Sequence, residues 1–147
     1  MTNVVVVDDH ILLRLLLDDE PDDLRPTGAR IATTGLWYHR LCRALADREV
    51  VGSMSRMLNR LDDNAAAGVI ASVVRLPPAV ELVSLRTLGW SMGALAVGGA
   101  RLNPLSLEAA AAARYLDAEI CLAAADNNVP LLNAAERLGL AVRVVTA

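Results

Sequence analysis

The chain contains no lysine and no phenylalanine, and each absence restricts its chemistry or its packing. All 14 basic residues are arginine, so any reaction that depends on a lysine amine is excluded. Aromatic residues account for only 3% of the chain, although 54% of it is hydrophobic. The core must therefore consist mainly of alanine, leucine and valine, which suits helices packed closely on a small aliphatic sheet.

Long apolar runs and metal-type cysteine spacings are absent as well. No stretch reaches the roughly 18 apolar residues that a membrane-spanning helix needs. The N-terminal valines also lack the basic region and the cleavage site of a secretory signal. Cys42 and Cys121 are not spaced like metal ligands, and His10 and His39 form no zinc pattern with them. We therefore expect a cytoplasmic protein with reduced cysteines and no membrane partner.

Charge is unevenly distributed along the 147 residues, a length that suits a single domain over 1–147. Seven acidic residues crowd the first 23 positions, whereas seven arginines and only two acidic residues lie between Arg25 and Arg60. An acidic end beside a basic middle could serve a metal ion and a phosphate group, or it could form two solvated faces.

Hydrophobic patterns predict helices that alternate with short strands. Val4–Val7 is a continuous β-branched run, as in a strand buried on both faces, and Val80–Leu85 alternates at period two. Val129–Leu132 and Ala141–Thr146 are also predicted strands, and Ile31–Thr34 is either a strand end or a helix cap. Helices are predicted at Ile11–Leu17, Leu36–Ala46, Val50–Leu61, Ala65–Leu76, from a cap at Asn103 to about Ala125, and at Ala134–Leu138, with Trp90–Leu102 weakly helical. This order predicts an α/β fold, a three-layer α/β/α sandwich around a central parallel sheet.

The first predicted strand ends in the acidic pair of VVVVDDHILLRLLL, Asp8 and Asp9. Parallel sheets bind ligands at the carboxyl ends of their strands, so the pair could form a phosphorylation pocket, a metal site or only a turn with a helix cap. VVVVDDHILLR resembles the start of a response-regulator receiver domain. That family also needs an aspartate at the end of a middle strand and a late lysine. The middle segment LADREVVGSMSRMLNRL is no such strand and lysine is absent, so the receiver interpretation is rejected.

A second resemblance covers nearly the whole chain. In PIN domains, which include the ribonuclease toxins of VapC-like toxin–antitoxin pairs, a hydrophobic strand ends in an aspartate and small polar residues before a helix. VVVVDDHILL is similar, with Asp8 at the metal-binding position and Asp9 and His10 at the polar positions that follow. VELVSL resembles the middle strand of the family, and RYLDAEICLAAADNNVPLLNAAERLGLAVRVV resembles its final segment. In that segment Asp117 falls on the third acidic position.

The resemblance implies a PIN-like fold and a metal-dependent endoribonuclease that hydrolyses RNA phosphodiesters. A Mg²⁺ or Mn²⁺ ion would relieve the repulsion between clustered carboxylates and would orient a water molecule for attack. Asp8 and Asp117 are accordingly the predicted catalytic and metal-binding residues. The resemblance also implies an antitoxin-like protein partner and a homodimer.

Two acidic positions of the family are not matched. His39 and Arg40 stand where the second acid, a glutamate, is expected, and Asn133 stands at the fourth position, with Glu136 one residue late. Acidic residues that could compensate are Asp9, Asp126 and Glu136. Other candidates are Asn133 as a polar group in the pocket, and His39, Arg40 and Arg43 as phosphate ligands.

Two functions therefore remain open: a working nuclease, or a catalytically inactive PIN-like binding or dimerisation module that acts through a protein or nucleic-acid partner. Structural roles remain open as well. Asp8 could cap the first helix, and Asp117 could form an ion pair with Arg114, because an unpaired carboxylate in an apolar helix would be costly.

Overall fold

The computed structural model describes residues 3–26, 28–47, 53–126 and 128–146, except for the side chains of residues 53–55. Within these ranges the strands are β1 (Val4–Val7), β2 (Arg30–Thr34), β3 (Val80–Val83), β4 (Glu119–Ala123) and β5 (Val142–Val145). The helices are α1 (Asp9–Leu16), α2 (Gly35–Ala46), α3 (Ser53–Asn59), α4 (Asp63–Val74), α5 (Leu85–Val97), α6 (Pro104–Leu116) and α7 (Val129–Leu138). None of these described helices is both long enough and apolar enough to cross a lipid bilayer.

The five strands form one parallel sheet in the order β3-β2-β1-β4-β5. β1 is central, with Val5 in register with Ile31 of β2 and with Glu119 of β4. Parallel neighbours require crossover connections, and the helices that make them cover both faces of the sheet. The predicted α/β fold, with three layers around a central parallel sheet, is confirmed.

The valine run of β1 reflects burial on both faces of the sheet. Val4 and Val6 belong to a core with α5, α6 and α7, whereas Val5 and Val7 belong to a core with α1, α2 and α4. The alanines Ala109–Ala113 of α6 are all buried in the first of these cores. Their small side chains let α6 lie close to the sheet, as the composition predicted.

Most predicted elements lie where the periodicity placed them, but two predictions in the last third are wrong. The helix predicted to reach Ala125 ends at Leu116 and is followed by β4, because Asp117 adopts a left-handed conformation with φ 50° that ends the helix. Val129–Leu132 begins α7 and is not a strand. Asn128 caps this helix by accepting a hydrogen bond from the Leu131 N–H, and a proline in the first turn fits a helix start.

Smaller shifts concern the other predicted elements. Ile31–Thr34 lies in β2, and Thr34 also caps α2. The glycine-containing helix begins at Leu85 and ends at Val97, earlier than predicted. The helix predicted at Val50–Leu61 is observed over Ser53–Asn59, ends two residues before Leu61, and has its first three predicted residues, 50–52, outside the described residues.

Candidate acidic site at the carboxyl edge of the sheet

Asp8 lies where β1 ends and α1 begins, and it is almost completely buried. Its Oδ1 accepts a hydrogen bond from the Ile11 N–H at 3.0 Å and caps α1, while Oδ2 accepts one from the Ala123 N–H at 2.8 Å. Burial raises the pKa of Asp8 to about 6, against the opposing effect of these two hydrogen bonds. Asp8 therefore ties β1, α1 and β4 together, which is the structural role that the sequence left open.

Asp9 is fully buried and forms an ion pair with Arg40 of α2. Arg40 donates from Nε to Asp9 Oδ2 and from Nη2 to Asp9 Oδ1, the latter at 2.8 Å. This two-point contact matches the planar guanidinium to the carboxylate. Burial by itself would raise the pKa of Asp9, but the hydrogen bonds from Arg40 and His10 hold it below its ordinary value. Asp9 is therefore ionised and is already paired with a cation from its own chain.

Asp126 and His10 lie beside this ion pair, and together with Asp8, Asp9 and Arg40 they form the acidic cluster. Arg40 Nη2 also donates to Asp126 Oδ2 at 2.9 Å, so one guanidinium bridges two carboxylates. His10 Nδ1 lies 3.1 Å from Asp9 Oδ1 and 3.9 Å from Asp126 Oδ2. Burial favours the neutral imidazole, but the hydrogen bond to Asp9 and its charge outweigh burial and raise the pKa of His10.

The cluster also has the spacing of a possible metal site. One ligand atom from each of Asp8, Asp9 and His10 lies within 4.8 Å of the others. A hydrated Mg²⁺ ion, however, needs several oxygen ligands in a nearly octahedral arrangement. Arg40 contacts both oxygens of Asp9 and also binds Asp126, so it competes with a divalent ion for these carboxylates. The residues present fit the arginine better than they fit a resident divalent ion.

A cavity of about 400 Å³ opens in front of the cluster, lined among others by Asp8, Arg40, Asp126, Trp37, Asn103 and Asn128. Asn103 and Asn128 cap α6 and α7, so these helices begin at the cavity, as α1 does. Helix N-termini carry partial positive charge and stabilise the acids around them. A larger cavity of about 630 Å³ has Glu20, Arg25 and Arg30 in its lining, and there Glu20 and Arg25 form an ion pair of their own. We assign the candidate site to the smaller cavity because the buried Asp8 lines it together with Arg40 and Asp126.

Asp117, the second predicted metal ligand, lies elsewhere. It is exposed and precedes β4, at the amino edge of the sheet, whereas Asp8 follows β1 at the carboxyl edge. The register of β1 and β4 separates the two residues by roughly 16 Å along the strands. They do not converge, contrary to the prediction. Arg114, the alternative partner of Asp117, donates instead to the Leu138 carbonyl at 2.8 Å.

Three further predicted residues do not line this cavity. His39 is exposed on α2, and Asn133 and Glu136 are exposed on α7. Asn133 was predicted to end a strand and so to point into the pocket, but it lies in the second turn of a helix. Of the predicted pocket residues and compensating acids, the structure brings Asp9, Arg40 and Asp126 together near Asp8.

Sequence reasoning missed Glu108, a fully buried residue of α6. Its Oε1 accepts a hydrogen bond from the Leu36 N–H at 2.7 Å, at the start of α2 and one residue before Trp37. Its Oε2 has no hydrogen-bond partner within the described residues. The sequence did offer a signal for Glu108, since it is the single charged residue in the apolar segment LEAAAAA. Burying a carboxylate among alanines is costly, so such a residue indicates a specific hydrogen-bonding role.

Comparison with protein-family models and with curated proteins yields no match for this sequence.

Proposed function

We propose that the chain is a PIN-like domain that acts as a non-catalytic binding or dimerisation module. The observation that carries the proposal is the bridge from Arg40 to Asp9 and Asp126. In the resemblance to PIN domains, Arg40 stands at the expected position of a glutamate. Support for the resemblance itself comes from the parallel α/β sheet and from Asp8 at the end of its central strand.

A guanidinium group cannot replace a divalent ion in hydrolysis. A bound metal ion lowers the pKa of its water and generates a nucleophile at neutral pH, whereas arginine offers only hydrogen-bond donors and one positive charge. The hydrogen bonds from Arg40 to Asp9 raise the pKa of Arg40 further, so the side chain stays charged. Arg40 thus compensates the acidic cluster without activating water.

Calorimetric titration with Mn²⁺ tests the proposal on the wild type, Arg40→Glu and the control Arg43→Glu. Arg43 is an exposed residue of the same helix, and the control makes the same change of charge. We expect no saturable binding to the wild type or to Arg43→Glu at millimolar Mn²⁺. Arg40→Glu should bind Mn²⁺, because the substitution frees Asp9 and Asp126 and adds a third carboxylate beside them.

The opposite pattern contradicts the proposal. Saturable Mn²⁺ binding by the wild type that disappears in Asp8→Asn would establish a metal site that tolerates Arg40. Circular dichroism of each variant, with and without Mn²⁺, checks that the fold is retained. If Arg40→Glu does not fold, Arg40→Gln removes the guanidinium without adding a charge and serves the same test.

A second candidate is a Mg²⁺- or Mn²⁺-dependent endoribonuclease of the VapC type, with RNA as substrate and an antitoxin-like protein as partner. The convergence of Asp8, Asp9 and His10 within 4.8 Å favours it. This candidate predicts Mn²⁺-dependent RNA cleavage by the wild type that Asp8→Asn abolishes. Cleavage that persists unchanged in Asp8→Asn rules out that role for Asp8.

A further inference from the structure

Residues of α2, α6 and α7 line the cavity in front of the acidic cluster, and buried polar side chains of α6 bond to the other two helices. Ser106 Oγ accepts a hydrogen bond at 2.6 Å from Nδ2 of Asn128, the residue that caps α7. Glu108 Oε1 accepts one from the Leu36 N–H, in the first turn of α2. Ser106 and Glu108 are both buried. Helix α6 therefore holds each of the other two helices at the cavity through a separate hydrogen bond.

The first turn of α2 is held more closely by Glu108 than by its own cap. The first N–H groups of a helix have no partner within the helix. Thr34 accepts from the Trp37 N–H at 3.4 Å, whereas Glu108 accepts from the Leu36 N–H at 2.7 Å. A carboxylate is a stronger acceptor than a hydroxyl, and the dipole of a helix favours it near the N-terminus. The start of α2 thus depends on a residue that lies 72 positions later in the chain.

The second oxygen of Glu108 indicates that this carboxylate does more than fill the core. Oε2 has no hydrogen-bond partner within the described residues, and a Cβ atom at Gly35 would lie 3.5 Å from it. Burying an unpartnered carboxylate oxygen costs free energy. Helix α6 therefore retains here a residue that packing alone does not favour. Such departures are typical of positions with a further role.

Arg40 lies one turn beyond the residue that Glu108 holds. In an α-helix the N–H of each residue bonds to the carbonyl four residues earlier, and side chains four apart lie on the same side, so Leu36 and Arg40 are coupled. Arg40 contacts both oxygens of Asp9 and also Asp126, a geometry that requires a well-placed guanidinium. We infer that Glu108 is a positioning residue, which holds the first turn of α2 and so keeps Arg40 on these two acids. The inference rests on the proposed function, in which Arg40 compensates the acidic cluster.

NMR of the arginine side chains tests the inference, because the Nε–H of Arg40 donates to Asp9. The chain has 14 arginines, and the Arg40 resonance is the one that disappears in Arg40→Met. In the wild type this resonance should exchange slowly with solvent, since its acceptor is a buried carboxylate. The Nε–H of Arg143, which donates to Glu119 at 2.9 Å, is assigned in the same way from Arg143→Met and serves as an internal reference.

Three variants separate positioning from packing. Glu108→Leu keeps about the same volume but accepts no hydrogen bond, so it should shift the Arg40 resonance and speed its solvent exchange on the order of tenfold. Glu108→Gln keeps an acceptor for the Leu36 N–H and should preserve the wild-type resonance. Ser106→Ala is the matched control, because it removes the buried side chain that bonds to α7 and should leave Arg40 unchanged. Melting curves show that each variant is folded; if Glu108→Leu is not, the more flexible Glu108→Met replaces it.

Two outcomes overturn the inference alone. An Arg40 resonance with unchanged position and exchange in Glu108→Leu would show that α2 holds Arg40 without α6. Loss of that resonance in Glu108→Gln would show that the hydrogen bond to Leu36 is not the means. Both outcomes leave the Arg40 bridge, and with it the proposed function, intact. If Arg40→Met removes no slowly exchanging Nε–H, the bridge itself is absent, and the inference and the proposed function are both overturned.

Discussion

Replacing Arg40 by methionine removes the guanidinium from Asp9 and Asp126 but keeps most of the apolar stem. Asp9 is fully buried, so its carboxylate loses its main compensating charge. Removing one partner of a buried ion pair typically costs about 3–5 kcal/mol. The Arg40 side chain is 41% exposed and Asp9 keeps its hydrogen bond to His10, so screening reduces the expected loss to about 2–3 kcal/mol.

Urea denaturation followed by Trp37 fluorescence measures this loss as a lower midpoint with an unchanged slope. The control Arg43→Met changes an exposed residue of the same helix and should stay within about 0.5 kcal/mol of the wild type. Combining Arg40→Met with Asp9→Asn should cost less than the sum of the two single changes, because the double variant buries no unpaired charge. A loss below about 0.5 kcal/mol for Arg40→Met, or strict additivity in the double variant, would refute the view that Arg40 compensates the cluster.

Two further predictions concern buried acids. The pKa of Asp8 is raised by burial from 3.8 to about 6 in the folded chain, so the unfolded chain releases this proton first and stability should fall by about 3 kcal/mol from about pH 4 to pH 7. The raised pKa of His10 lowers stability in the same direction as the pH rises near neutrality. Urea titrations at several pH values should show this fall in the wild type and a flatter dependence in Asp8→Asn. A wild-type stability that rises with pH would contradict the raised pKa of Asp8. Glu108→Gln keeps an acceptor for the Leu36 N–H and should be neutral or stabilising in thermal unfolding. Glu108→Ala leaves that N–H unpaired beside a void and should cost about 1–3 kcal/mol, so equal effects of the two substitutions would show that the hydrogen bond is unimportant.

The local sequence pattern was sufficient to predict a strand or helix where one physical cause determines its structure. A β-branched run such as Val4–Val7 is compatible with few environments other than a buried strand. β4 was missed because its residues follow an alanine-rich helix with no glycine or proline between them. The break depends on the left-handed backbone of Asp117, which the residue type permits but does not require. For α7, the Asn-Val-Pro start was the correct signal and the apolar run after it was misleading.

The error at β4 explains the error at the site. With the helix extended to Ala125, Asp117 was placed in its middle, where it could turn toward Asp8. Once β4 is inserted, Asp117 and Asp126 lie at opposite ends of the same strand, and it is Asp126 that reaches the cluster. The role of Arg40 could not be predicted from the sequence, because its partners lie 31 and 86 residues away and only the fold brings them together.

The hydrogen bond from Ala123 to Asp8 has a consequence for how the protein is made. It joins residues 115 positions apart, across the pairing of β1 with β4. During synthesis β1 emerges before the other four strands that the structure describes, yet one of its edges stays open until β4 has emerged. Pairings that are distant in sequence form slowly, and an open strand edge invites association with other chains. The centre of the sheet therefore stays open on one side for most of the synthesis, and a nascent chain that stalls before Glu119 leaves one edge of the buried strand β1 exposed.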